Sequence, residues 1–318
     1  LAERQPLLLR MKRDNPLASG LSEAVYRRQR LRERVIEGGL FLAAASSVFV
    51  TLAIVFVLVY ESIGFFTTVP LTEFLFGTTW SPLFANPQYG ILPLLGGTLL
   101  SSAVAMIFVA PIGLATAIYL SEFSSSRTRE IVKPILELLS GVPTVVYGFF
   151  ALLFVTPALQ KIVPGLPGFN ILSAGIVIGI MIIPYVASLS EDAMRAVPGS
   201  LRDGSLALGA TRFETAVKVV LPAATSGVAA AFILGISRAV GETMIVAIAA
   251  GQQPNLTIDP REPAATITAY IVQVALGDLP HASLAYQTIF AAGLVLLLMT
   301  LTFNILGFWL RNKYREIY

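Results

Sequence analysis

Residues 38–60 read Gly-Gly-Leu-Phe-Leu-Ala-Ala-Ala-Ser-Ser-Val-Phe-Val-Thr-Leu-Ala-Ile-Val-Phe-Val-Leu-Val-Tyr, without one charged side chain. A helix needs about 20 mostly apolar residues to cross the hydrocarbon layer of a bilayer, and this run supplies them. Charge is equally absent between Glu73 and Glu122, Glu137 and Lys161, Lys161 and Glu191, and His281 and Arg311. Over the whole chain 55% of residues are hydrophobic and only 13% charged, with a mean hydropathy of +0.76. Soluble domains are about a quarter charged, so this chain has too little polar surface to cover a globule of its size. The solvent is lipid. There a helix satisfies its own backbone, which makes the fold class all-α integral membrane.

Working outward from that run, six spans fit: 38–60, 91–120, 135–158, 171–189, 222–250 and 286–310. Pro111 predicts a kink or break in the second. The third carries Gly141, Pro143 and Gly148, and the fourth Pro184. Residues 1–34 form a basic tail and 35–318 the six-span transmembrane domain.

The charges orient the chain. Of its 22 Lys and Arg, 19 fall in the tail, in the loops 127–133 and 195–218, and after residue 310. Lys161 and Arg261 lie in the alternate loops, and Arg238 lies inside a span. The positive-inside rule then places both termini in the cytoplasm. The net charge of +3 and pI near 9.2 thus belong to membrane orientation, and no nucleic-acid partner is expected. The absence of cysteine excludes disulfides, thiolate metal sites and cysteine nucleophiles. No cofactor or metal is called for. The only histidine, His281, reads as an exposed loop residue.

Two segments keep two readings each. Arg27, Arg28, Arg30, Arg32 and Arg34 serve as a topology anchor on anionic headgroups or as a regulatory contact. The apolar run behind them is too long for a signal peptide. The loop 61–90 holds Phe65, Phe66, Phe74, Phe76, Trp80, Phe84 and Tyr89, either an interfacial aromatic belt or a docking surface for an external partner.

The loop 200–222 reads Ser-Leu-Arg-Asp-Gly-Ser-Leu-Ala-Leu-Gly-Ala-Thr-Arg-Phe-Glu-Thr-Ala-Val-Lys-Val-Val-Leu-Pro. Thr211 and Glu214 have capping-box spacing, and Ser200 with Asp203 resembles one. Gly209 stands where a helix C-terminus wants positive φ. The segment is therefore a helix, a glycine turn and a second helix ending at Pro222, with Leu201, Leu208 and Phe213 as apolar knobs.

This stretch resembles the EAA loop of ABC-importer permeases. Asp203-Gly204-Ser205 stands in for the acidic-Ala-Ala triplet, which it departs from at every residue, while Gly209 and Val219-Val-Leu-Pro222 keep the family spacing. The resemblance implies a type I importer permease fold and a hairpin that docks on the ATP-binding subunit. Asp203, Ala207, Leu208, Gly209, Phe213 and Pro222 are its candidate coupling residues. Gly141-Val-Pro-Thr-Val-Val-Tyr-Gly148, Ser237-Arg-Ala-Val-Gly-Glu-Thr-Met244 and Tyr119-Leu-Ser-Glu122 resemble the phosphate permeases of the PstC type. That implies a transport subunit, not an enzyme, moving phosphate by alternating access across a bacterial or archaeal plasma (inner) membrane. The implied partners are a second homologous permease, two ATP-binding subunits and an external phosphate-binding protein. The chain has no Gly-x4-Gly-Lys-Ser/Thr loop and leaves ATP hydrolysis to those subunits.

Arg238 and Glu242 are the costly residues of the fifth span, since a buried Arg costs a few kcal/mol on insertion scales. Placed 16 residues past Pro222, Arg238 would lie about 24 Å along that helix. At i and i+4 the two are within salt-bridge reach, so they form either a self-neutralising scaffold pair or a polar patch on the path, where a guanidinium suits an oxyanion. Glu137 is a path carboxylate at the cytoplasmic mouth or a partner of Lys133. Ser140 and Thr144 offer hydroxyls beside Pro143. Gly227, Ala231, Gly235 and Ala239 form a small-residue row for close helix packing. The alternatives are a permease for phosphonate, sulfate or molybdate, or an ion-coupled secondary carrier using Arg238 and Glu242 as a charge relay.

The orientation is directly testable in a cysteine-free chain. Single cysteines at Ser125 and Ser205 are expected to react only from the cytoplasm, and one at Thr79 only from outside. Reaction of Ser125→Cys and Thr79→Cys from the same side would overturn the orientation.

Overall fold

The computed structural model describes residues 19–280 and 283–313, so the expectations for His281 and for residues 1–18 lie outside the described residues. Regular structure among the described residues is helical, apart from two isolated bridges, Trp80 to Tyr89 and Gly251 to Ala264. By contacts the chain divides into residues 1–57 and 58–318.

The first unit holds most of α1, a 50-residue helix, Ser19–Thr68. It starts inside the expected tail, so no structural break marks residue 34. Leu40, Phe41, Phe49, Leu52 and Phe56 are all exposed, as suits side chains that face lipid.

In the second unit the central elements are α3, Leu92–Phe123, and α6, Ile171–Arg195, after a short α2, Leu71–Phe76. They pack along their lengths, burying Val104, Ala105 and Val109 against Val177, Ile178, Met181 and Ile182. Their approach depends on Gly175, where a Cβ would lie 2.6 Å from Val104. Pro111 does not interrupt α3: it removes one backbone donor, and the helix runs on through it.

Two of the expected spans are bent. The third divides into α4, Ser126–Ser140, and α5, Thr144–Gln160, at 86° to each other. The turn is Gly141-Val142-Pro143, whose proline cannot continue the hydrogen bonding of α4. The Gly141 and Val142 N–H groups bond the Leu138 and Leu139 carbonyls, and the Tyr147 hydroxyl donates to the Leu139 carbonyl at 2.8 Å. The expected span 135–158 is therefore broken, its second helix starting at Thr144. α4 buries none of its residues and lies along the protein surface.

The fifth span likewise starts later than Pro222. After α7, Gly199–Ala207, the segment α8, Arg212–Ala223, meets α9, Thr225–Val240, at 74°. Gly241-Glu242-Thr243 then interrupts the helix before α10, Met244–Ala249. Among the described residues four helices, Arg30–Thr68, α3, α6 and α12 (Leu284–Lys313), are long and apolar enough to cross a membrane, and up to six spans result if each bent pair counts as one.

Ahead of α12 the chain folds back as α11, Ile267–Ala275, too short to be a span. The Thr98 hydroxyl of α3 accepts from the Ile267 N–H at 3.0 Å. The aromatic loop is part of this core: Phe65, Phe74 and Trp80 are buried, and Trp80 meets Tyr270 edge-on at 5.0 Å. Neither an interfacial belt nor a docking surface describes those three. Phe76 and Phe84 alone among the loop's phenylalanines remain strongly exposed.

Candidate functional site

Arg238 occupies the last turn of α9. The small-residue row places it: Ala231, Gly235 and Ala239 are buried, and a Cβ at Gly235 would lie 2.8 Å from Val186 of α6. With that row against α6, Arg238 projects from a different face and is exposed. It stands 13 residues past Thr225, about 20 Å along a straight α9. Its guanidinium carbon is 5.7 Å from the Tyr185 ring centre and within electrostatic reach of Tyr147. Among the described residues no carboxylate lies in ion-pair range of it.

The expected Arg238–Glu242 pair is not formed. It required an unbroken helix, and α9 ends at Val240. Glu242 instead closes the break: its Oε1 accepts from the Met244 N–H at 3.0 Å and the Ile245 N–H at 3.2 Å. The Glu242 carbonyl accepts from the Thr268 hydroxyl of α11 at 2.6 Å. The buried carboxylate is a helix cap, which bonds donors that a chain in lipid cannot leave open.

Glu137, Ser140 and Thr144 gather at the α4–α5 bend. Glu137 is exposed on a wide, shallow cavity of about 500 Å³, lined also by Pro134, Leu138, Gly141 and Val142. Ser140 donates its hydroxyl to the Glu137 carbonyl at 2.7 Å, and Thr144 opens α5 half-buried. Lys133 does not pair with Glu137; it reaches Glu191 at 3.0 Å and Asp192 at 2.5 Å. The two interruptions belong to neighbouring helices, since Gly148 of α5 fits against Ile248 and the Met244 carbonyl of α10. Arg238 does not line the Glu137 cavity.

The hairpin forms as the spacing predicts, with one exception. Thr211 and Glu214 make the full capping box, and Gly209 has a φ of +87°. The Ser200 box is absent, because α7 begins after Pro198 and Ser200 lies inside it. Ser205 and Thr215 join the two helices through their hydroxyls at 2.9 Å. Asp203, Ala207, Leu208, Gly209, Phe213 and Pro222 are all exposed, Leu208 at 91%. Leu201 is not a knob: it packs inward on Ala117, Met194 and Val220.

Sequence reading missed Glu191. This carboxylate, 1% exposed near the end of α6, has Lys133 at 3.0 Å and Arg195 at 3.7 Å. Arg129 Nε is 2.7 Å from Oε1 but off the hydrogen-bond line, so that contact is Coulombic rather than directed. Its one local signal was Arg195 at i+4, which says nothing of α4. The cluster clamps α4 to α6, and removing one partner of such a buried pair costs about 3–5 kcal/mol.

Comparison with known proteins fits this architecture. The family "Binding-protein-dependent transport system inner membrane component" matches residues 110–316. The probable ABC transporter permease YqgH of Bacillus subtilis is 36% identical over 76% of this chain and 78% of its own. The phosphate transport permease PstC of Mesorhizobium japonicum is 32% identical over 72% and 74%. A bacterial alginate ABC transporter structure matches 90% of this chain and 99% of its own, with a TM-score of 0.60 at 17% identity. The fold and the exposed hairpin define an ABC-importer permease. The chain belongs to the family of binding-protein-dependent inner-membrane transport components. Such permeases are not enzymes and work with ATP-binding subunits and a substrate-binding protein, which removes the ion-coupled carrier from consideration.

Gly209→Val places a β-branched residue at positive φ, which only glycine adopts without strain. The variant is expected to insert and assemble, yet to lose transport and substrate-stimulated ATP hydrolysis together. Stimulated hydrolysis at the unmodified rate would reduce the hairpin to a connector.

Proposed function

We propose that this chain is one of two homologous permease subunits of an importer for inorganic phosphate, with both termini in the cytoplasm. Of the two ATP-binding subunits, one docks on this hairpin through Asp203, Ala207, Leu208, Gly209, Phe213 and Pro222. An external phosphate-binding protein delivers the anion. Residues 1–34 act as the cytoplasmic anchor and 35–318 as the permease domain.

The observation that carries the reading is Arg238, a permanently charged group on an exposed face of an apolar helix, without a carboxylate partner. An unpaired Arg in lipid is expensive, so such residues face a bundle interior or a water-filled cavity. A planar guanidinium fits phosphate through two parallel donors. The external loop offers no rival cation at Arg261, which spends three bonds on Asp259. Glu137, Ser140 and Thr144 at the neighbouring bend belong to the same path, toward the cytoplasm. Glu242 holds the break that presents Arg238. Relatives named as phosphate permeases support phosphate over other oxyanions.

The test is radiolabelled phosphate uptake by the reconstituted complex, with sulfate, molybdate and phosphonate as competitors. Phosphate uptake unaffected by a large excess of the competitors is the expected result. Uptake of sulfate, molybdate or phosphonate by the same complex, with no uptake of phosphate, would reassign the substrate.

A further inference from the structure

Arg202 sits in α7, directly before Asp203, with its side chain turned away from the exposed knobs. It is only 22% exposed, and its fork is fully used. Nε lies 3.1 Å from Oε2 of Glu122, and Nη2 lies 3.0 Å from Oε1. Nη2 also donates to the Met194 carbonyl at 2.8 Å and Nη1 to the Val197 carbonyl at 2.6 Å. Glu122 belongs to the cytoplasmic end of α3, while Met194 and Val197 lie at the end of α6.

One guanidinium therefore joins three elements. It pairs with a carboxylate on α3 and fills carbonyls of the kind a helix C-terminus leaves without partners. Leu201 adds an apolar contact beside it, in the cluster of Ala117, Met194, Val197 and Val220. α3 and α6 also share the most extensive helix contact among the described residues, with Gly175 within it.

We propose that Arg202, with Glu122, is a positioning pair that transmits movement of α7 to α3 and α6 as one rigid unit. Displacement of α7 by a partner cannot be absorbed at the α6–α7 turn, because the fork spans that turn. It must tilt both helices together. Lysine in place of Arg202 keeps the charge but provides no planar fork for a carboxylate and two carbonyls. The inference rests on membership in the importer family and not on the choice of phosphate.

The experiment uses the full complex in liposomes, with spin labels on cysteines at Ser200 of α7 and Ile107 of α3, both exposed positions. In the otherwise unmodified chain the label distance is expected to stay narrow and unchanged between the nucleotide-free and the ATP–vanadate state. Arg202→Lys is expected to shift or broaden it between the states and to lower phosphate imported per ATP hydrolysed by about tenfold, a usual size for coupling between sites. Glu122→Gln added to Arg202→Lys should cost nothing further. A distance that changes in the unmodified chain overturns the proposal. So does an Arg202→Lys complex with either readout at the unmodified value, and so does failure of Arg202→Lys and of Glu122→Gln, each alone, to assemble, which would make the pair a scaffold. If the unmodified complex imports no phosphate, the substrate assignment fails, and the label distances still decide Arg202.

Discussion

A helix interrupted in an apolar layer leaves backbone donors and acceptors with no water to bond, and Glu242 is what allows this chain to interrupt one. Unsatisfied groups of this kind cost several kcal/mol each in lipid. The Glu242 side chain takes the Met244 and Ile245 N–H groups, and Thr268 takes the Glu242 carbonyl. With those bonds made, α9 can end at Val240 and present Arg238 at its last turn. The α4–α5 bend is managed the same way, with Tyr147 bonding the Leu139 carbonyl. Both departures from straight helix lie where the polar residues of the proposed path are found.

The hairpin end of the helices is held by charge as well as by apolar packing. Glu191 draws Arg129, Lys133 and Arg195 together, and so fixes the amphipathic α4 against α6. Arg202 draws Glu122 and two carbonyls to the hairpin. These contacts leave Leu208 and Phe213 free on the outer side. A hairpin that is bonded tightly inward and bare outward suits a partner that pushes on it.

The sequence showed the bilayer and the hairpin, because each rests on a local pattern: charge-free runs, and Thr211 with Glu214 around a glycine. It did not show where helices break. Pro111 and Pro143 look alike as residues, yet one lies inside a continuous helix and the other ends one. The difference lies in what the neighbourhood can bond. Glu242 had the i+4 spacing of an ion pair, and an intact helix was assumed. Glu191, Glu122 and Arg202 owe their contacts to residues 58 or more positions away in at least one case each, or to the α3–α7 meeting, and no spacing rule reaches that far.

In the proposed path Arg238 serves the transported anion while Glu242 serves the backbone. Phosphate uptake by the double variant Arg238→Gln with Glu242→Gln, normalised to assembled complex, tests it most directly. Glutamine at 242 keeps an oxygen to accept the two N–H bonds, so the complex is expected to assemble and to import no phosphate. Uptake near the unmodified level would contradict the account, because no anion site on the path could then depend on Arg238.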